Sequence, residues 1–290
     1  MKLFVTGGSG FVGSHFVAAA MLRGHEVTAL RRATSAPRIV LTHEPRWVTG
    51  DLATVPGDAM AGHDVLVHLA AHSPNTPYDS LERCIQGNVT DSLRCLRAAN
   101  EHGVRRFLVA GSCFEYGYSA NDFDCIPSNA PLRPAGSYPT SKAMASLAVR
   151  EFIRETGSVG MIARLFQVYG EGEAESRLWP ALRAAAAAGR DFPMSAGEQL
   201  RDFVRVDQVA EMLVTLTERV GERKDGGVDE RNVASGVTRS VVDFARDCWR
   251  DWHATGQLLV GALPYKDNEM MRVVPELTPD AFARPRTAGA

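Results

Sequence analysis

Apolar residues over positions 1–166 alternate between two patterns. Short runs rich in β-branched and aliphatic residues, at 3–6, 26–31, 64–69, 106–111 and 159–166, read as strands. Between them lie stretches of helical character at 11–23 and 81–102, and a third beginning near Ser137. Several short runs are almost continuously apolar, as expected when helices cover both faces of a parallel sheet. Such alternation closes into right-handed βαβ units and predicts an α/β fold with a doubly wound parallel sheet. Gly24 and Gly103 stand where the first two helices should end, glycine being cheap in the left-handed conformation.

After Gln167 the alternation lapses. An Ala-rich stretch at 180–188 reads as a helix stopped by Gly189, and the run Arg201-Asp202-Phe203-Val204 follows after a loop. A further helix is expected from Asp207, whose side chain suits an N-cap. The rest is short mixed elements ending in a tail, 281–290, expected to fray. The pattern predicts two lobes, 1–166 and 167–290, with segments of the second returning to the first.

Composition narrows the classes. The 290 residues are 45% apolar, enough for a sizeable core, and the net charge of −2 is interspersed, so no basic face for nucleic acid stands out. No apolar run approaches the roughly 20 residues that span a bilayer. The first residues run straight into a Gly-rich turn, where a signal peptide would need a longer apolar region. The five cysteines form no CxxC pair and read as reduced thiols. His68 and His72 have a metal-like spacing but fall at a strand end and loop, so no metal is expected. The expectation is a cytoplasmic enzyme that engages neither membrane nor nucleic acid.

The chemistry begins at Thr6-Gly7-Gly8-Ser9-Gly10-Phe11-Val12-Gly13, directly after a strand and opening a helix. Glycines at 7, 10 and 13 allow a tight turn, close approach of a pyrophosphate and packing of helix on strand. The exposed N–H groups and helix dipole then hold the anion. At the end of the second strand an NAD site usually carries an acid for the ribose hydroxyl, whereas this strand runs into Arg31-Arg32. A guanidinium there suits a 2′-phosphate, so NADP(H) is favoured. Tyr138 and Lys142 lie one turn apart on a predicted helix, where the ammonium should stabilise a tyrosinate and make Tyr138 an acid/base near neutral pH. Ser112, at the carboxyl end of the strand at 106–111, points into the ligand crevice of such a fold.

Together with Asp51-Leu52, His68-Leu69-Ala70-Ala71, Asn88, Arg164–Gly170 and Arg201-Asp202-Phe203, these motifs resemble the extended short-chain dehydrogenase/reductase family of epimerases, dehydratases and ketoreductases. The resemblance covers nearly the whole chain. It implies a Rossmann domain with a smaller C-terminal substrate lobe and a homodimer formed through the helices at 81–102 and after Ser137. It further implies that Gly7, Gly10, Phe11, Val12 and Gly13 cradle the dinucleotide, with Arg31 and Arg32 at its ribose. Asp51 and Leu52 would meet the adenine, Leu69, Ala70 and Ala71 would line the cofactor channel, and Lys142 would hold the nicotinamide ribose. Ser112 and Tyr138 would engage the reacting oxygen. Cys113, Phe114 and Gln167 fall on the substrate side, with Arg201 on the diphosphate and Arg272 near it. Asn88 reads as a structural tie, His68 as a satisfied strand histidine, and Cys113 as small and buried.

The departures from the family pattern also matter. Gln167 stands where relatives commonly have Asn, and Glu115 replaces a usually apolar residue. Dehydratases carry an Asp-Glu pair immediately after the catalytic hydroxyl residue. Here those positions are Cys113 and Phe114, which disfavours dehydration. The segment 111–117 and the run 263–272 look more like the CDP-paratose/abequose synthase group. The expectation is an NADPH-dependent reductase of a dTDP- or CDP-linked 4-keto-6-deoxyhexose. A nucleotide-sugar epimerase on the same residues is the nearest alternative. A catalytically silent NADP-binding regulator is another, disfavoured because a sensor needs none of Ser112, Tyr138 and Lys142.

Overall fold

The strands form where apolar residues alternate sides. In the computed structural model, which describes residues 1–267 and 269–277, Leu3 and Val5 of the first strand face one layer of helices and Phe4 faces the other. Val65 and Val67 against Leu66 repeat this in the fourth strand, and Leu108 against Phe107 and Val109 in the fifth.

In chain order the elements are β1 (Lys2–Thr6), α1 (Phe11–Leu22), β2 (Glu26–Arg31), β3 (Arg46–Thr49), β4 (Val65–His68), α2 (Leu81–Ile85), α3 (Asp91–Glu101), β5 (Arg106–Ser112), α4 (Ser137–Thr156) and β6 (Val159–Leu165). Then follow β7 (Gln167–Tyr169), α5 (Leu178–Ala187), β8 (Phe192–Met194), β9 (Leu200–Arg205), α6 (Val206–Glu222), β10 (Gly227–Val233), β11 (Thr238–Ser240), α7 (Val241–Asp251), β12 (Leu258–Val260) and β13 (Arg272–Val273). Seven strands make one sheet in the order β3-β2-β1-β4-β5-β6-β10, and every pairing in it is parallel. Helices α1 and α6 cover one face through Phe16, Ala20, Leu213 and Val214, and α3 and α4 cover the other through Leu96, Ala99, Val149 and Phe152. This is the Rossmann-type α/β fold expected from the sequence. Phe152 meets Phe107 edge to face with ring centroids 5.3 Å apart. Truncating such a fully buried ring typically costs about 3–5 kcal/mol.

Four local expectations change. Strands β3 and β10 extend the sheet at its two edges, although neither shows an apolar run. The stretch at 81–102 is not one uniform helix, because a π-helical turn, Gln86–Thr90, separates α2 from α3. The wider turn accompanies the burial of Asn88, whose side chain joins the His72 backbone to Ser141. Asp207 is not the N-cap of α6; Arg205 occupies that position without a side-chain cap. Asp207 sits in the first turn instead, where its charge faces the positive end of the helix dipole and pairs with Arg205 at 2.9 Å.

The second layer of structure is built on β9, which pairs with β11, β13 and β7, while α5 and α7 pack together through Leu182, Ala185, Ala245 and Trp249. Helix α6 and strand β10 return to the large sheet. Conversely, the segment after β5 leaves it, since Cys113, Tyr116, Ala120 and Ile126 share a core with Phe166, Ala234 and Val273. The chain therefore crosses between layers at the end of β5, beside Ser112. The tail at 281–290 lies outside the described residues. Among those described, no helix is long and apolar enough to cross a membrane.

Candidate active site

The loop from β1 to α1 lies against the chain leaving β4. Gly7 has φ +72°, and a Cβ there would come within 2.6 Å of the Ala70 nitrogen and 2.7 Å of the Leu69 carbonyl carbon. A Cβ on Gly13 would stand 1.9 Å from the Gly7 oxygen. No side chain fits at either position, which leaves a cradle of backbone. The Gly10 amide donates to the Gly7 oxygen at 2.9 Å, closing the turn. Helix α1 begins at Phe11 and Val12, both half-buried, with no side-chain cap and no acid in its first turn. Such an N-terminus suits a pyrophosphate. Leu69 and Ala70 are half-buried and Ala71 is exposed.

At the end of β2 the Arg31 guanidinium lies 4.7 Å above the Trp47 ring, and Arg32 is exposed. Stacking fixes the plane of Arg31 while leaving its edge able to donate. Asp51 is exposed, and its carboxylate accepts from the Ala53 and Thr54 amides at 3.0 and 2.9 Å, shaping its own turn. Leu52 packs on the core beneath α3 and α4.

Ser112 ends β5, and its oxygen accepts from the Phe114 amide at 3.3 Å. The same hydroxyl hydrogen-bonds the Tyr138 phenol. Tyr138 is buried, with its ring 5.4 Å from that of Tyr78. Burial raises its pKa, the charge of Glu115 and the neighbouring Tyr78 add to the rise, and only the Ser112 hydroxyl opposes it. Lys142, also buried, donates to the Ala110 carbonyl oxygen at 2.7 Å. Desolvation holds its pKa below the usual lysine range; Glu115 resists this and Arg164 reinforces it. The expectation that Lys142 brings Tyr138 toward neutrality is thus corrected. The ammonium engages a backbone carbonyl, burial dominates, and the phenol keeps its proton.

His68 is hydrogen-bonded on both ring nitrogens, to Thr6 Oγ1 at 2.7 Å and Ser92 Oγ at 3.0 Å. Burial and the Lys142 charge push its pKa down to about 3. His72 meets Asp79 instead, at 3.0 Å, so the two histidines do not converge.

On the substrate side, Cys113 is buried and Phe114 half-buried. Burial pushes the Cys113 thiol up to about 12, against the pull of two guanidinium groups, Arg201 and Arg177. Arg201 donates to Glu269 at 2.7 Å. Arg177 donates to Glu173 at 3.2 Å and to the Gln167 side chain at 3.4 Å. The Arg201 charge is thus felt at Cys113, the residue after Ser112. Arg272 points elsewhere, donating to the Asp124 carbonyl oxygen at 2.6 Å. Arg177 and Tyr78 were not among the residues anticipated from sequence. The Glu173–Arg177 spacing of one helical turn was the available signal for the first, and Tyr78 offers none.

The model of the NAD dependent epimerase/dehydratase family matches residues 3–229. A UDP-glucose 4-epimerase of Corynebacterium glutamicum is 27% identical over 268 residues, 86% of this chain and 79% of the relative. A dTDP-glucose 4,6-dehydratase of Mycobacterium tuberculosis is 30% identical over 71% of this chain, which spans 66% of that enzyme. A dTDP-6-deoxy-L-talose 4-dehydrogenase (NAD(+)) of Aggregatibacter actinomycetemcomitans is 24% identical over 83% of this chain and 87% of its own. The fold also matches a solved UDP-N-acetylglucosamine 4-epimerase from Methanobrevibacter ruminantium M1, with TM-score 0.86 and 22% identity over 98% of this chain and 92% of that one.

Proposed function

The chain belongs to the NAD dependent epimerase/dehydratase family, and from that premise we propose that it is an NADPH-dependent reductase of a nucleotide-linked 4-keto-6-deoxyhexose. The observation that carries the reading is the pairing of a buried, protonated Tyr138 with the Ser112 hydroxyl at the end of β5. That pair is set to give a proton to a carbonyl oxygen. Cys113 and Phe114, in the two positions after Ser112, hold no carboxylate that would expel water from a sugar. The relative that interconverts a 6-deoxysugar alcohol and ketone at C4 supports the same step.

When bound, the reduced nicotinamide supplies hydride to the ketone carbon. Ser112 donates a hydrogen bond to the ketone oxygen, and Tyr138 passes its phenolic proton to that oxygen as the alcohol forms. Ser112 then stabilises the tyrosinate until it is reprotonated, and Lys142 holds the nicotinamide ribose. Gly7, Gly10 and Gly13 provide the backbone cradle for the pyrophosphate, and Arg31 and Arg32 offer guanidinium edges to a 2′-phosphate. Arg201 is the contact for the substrate diphosphate, whose nucleotide we take to be dTDP or CDP. We place the enzyme in the cytoplasm, as a homodimer.

An epimerase is the second reading, favoured by the 4-epimerase relative. Stoichiometry separates the two. With a dTDP- or CDP-4-keto-6-deoxyhexose, one NADPH should be oxidised per C4 alcohol formed. Conversion of a nucleotide sugar to its epimer with no net loss of NADPH would overturn the reductase reading.

A further inference from the structure

In Gly111-Ser112-Cys113-Phe114-Glu115 a carboxylate follows Ser112 by three positions, and the fold buries it completely. An ionised carboxylate without partners would not be tolerated there. Glu115 has three, each from a different part of the site. Oε1 accepts from the Ser112 amide at 2.8 Å; Oε2 accepts from the Ser146 hydroxyl and from Arg164 Nε, both at 2.7 Å. Ser146 lies on α4 one turn beyond Lys142 and two beyond Tyr138, so the three share a helix face. Arg164, on β6, is itself fully buried and continues to Glu230 on β10 at 2.7 Å and to the Ser128 carbonyl oxygen at 2.9 Å. Gly111 makes the arrangement possible, because a Cβ there would lie 2.9 Å from Glu115 Oε1 and 2.8 Å from Arg164 Cγ. The Phe114 amide binds the Ser112 oxygen while Glu115 binds the Ser112 amide. This reciprocal box holds the Ser112 side chain in one orientation.

We propose that Glu115, with Arg164, is the positioning residue of this site: it fixes the Ser112 hydroxyl toward Tyr138 and, through Ser146, clamps the helix face that carries Tyr138 and Lys142. Glu115 touches neither substrate nor cofactor and acts through these neighbours. It also has an electrostatic effect. Tyr138 faces Ser112 and Cys113 at the end of β5, Tyr78 from the loop before α2, and Glu115. Lys142 faces Glu115, Arg164 on β6 and His68 on β4. The negative charge of Glu115 favours the neutral phenol and the charged ammonium alike. Removing it must move deprotonation of both to lower pH.

The catalytic part of this inference rests on the reductase reading, whereas the electrostatic part does not, and the test separates them. In Glu115→Gln, the Tyr138 ring signal is followed by NMR of isotope-labelled tyrosine in the dinucleotide complex, with Tyr138→Phe assigning it. The signal should begin to titrate about one pH unit lower than in the unaltered protein. With a 4-keto-6-deoxyhexose substrate, the alkaline limb of kcat should shift in the same direction. Loss of Ser112 alignment should lower kcat by roughly 10- to 100-fold with little change in KM. If Glu115→Gln, which leaves Arg164 with Glu230 as its remaining carboxylate, fails to fold, Glu115→Leu with Arg164→Met replaces the pair by apolar residues, which buried pairs often tolerate. An unmoved Tyr138 titration in a folded variant overturns the proposal, as does a fall in kcat that tracks Tm with no change in pH profile. If the unaltered enzyme oxidises no NADPH with any 4-keto sugar, the reductase reading fails while the titration still decides the role of Glu115.

Discussion

Tyr138 holds its proton because nearly everything around it opposes a phenolate, and only Ser112 favours one. Tyr138→Phe keeps the ring and its contact with Tyr78 while removing the transferable proton. Turnover should fall by about 10²–10⁴-fold with dinucleotide affinity unchanged; retention of more than a tenth of kcat would mean that another group supplies the proton. Arg201 poses a different question, since its guanidinium already engages Glu269. Arg201→Ala should weaken binding of a nucleoside diphosphate by about 1.5–3 kcal/mol. Glu269→Gln, which removes the competing carboxylate, should tighten it by up to about fivefold. Calorimetric titration with dTDP and CDP checks both, and weakening in the Glu269 variant would show that the pair prepares the site rather than competing with ligand. His68 links the site to stability. Its folded pKa of about 3 lies below the unfolded value of 6.5, so the unfolded chain takes up a proton that the folded one refuses. The stability it contributes is complete above pH 6.5 and declines as pH falls toward 3. Chemical denaturation at successive pH values should show that His68→Gln flattens this decline, by at most about 1.4 kcal/mol per pH unit. Parallel curves for the two proteins would contradict the assignment.

The ends of elements carry the selectivity, and the end of β2 offers the plainest test. Arg31 stands over Trp47 at the end of β2, and if the dinucleotide is the proposed NADP, Arg31→Asp should erase or invert a preference for NADPH over NADH. Equal dissociation constants for the two in the unaltered protein would remove the case for NADP. The central strands and main helices were legible because their apolar residues do two jobs at once, satisfying a period of two or 3.6 and facing a buried layer. What escaped had no such signature. Strand β10 carries Asp229, Glu230 and Arg231, and Glu230 meets Arg164 from β6. The π-helical turn depends on Asn88 reaching His72 and Ser141, the latter 53 positions away. In the site, local spacing exposed Gly7, Gly10, Gly13, Tyr138 and Lys142. Arg201 and Glu269 meet across 68 positions, and neither contributes to a local pattern that reveals the pairing. Glu115 was visible only as a departure, because its partners lie on α4 and β6 and a carboxylate's burial cannot be read from its neighbours in sequence.

At the scale of the molecule, the helix that carries Tyr138 has two unlike faces. One is turned inward with Tyr138, Lys142, Ser146 and Val149, while Met144 and Leu147 on the other are 38% and 53% exposed. Leu81, on the neighbouring α2, is 41% exposed. Single exposed apolar residues need no explanation, but three on adjacent helices are what the proposed homodimer would cover with a second copy of the same pair. A two-fold contact of this kind would stiffen α4 from behind and hold Tyr138 and Lys142 in register with Ser112 on β5. Light scattering should therefore give twice the chain mass for the unaltered protein. Leu147→Asp should give a monomer, because an aspartate at the centre of the contact would be buried without a partner in each copy. If α4 depends on that support, the monomer should also unfold at a lower temperature, while the unaltered protein's Tm rises with concentration. An unaltered protein that is monomeric at assay concentration, or a Leu147→Asp variant that remains dimeric, would place the contact elsewhere and leave α4 to be held by Glu115, Ser146 and the sheet alone.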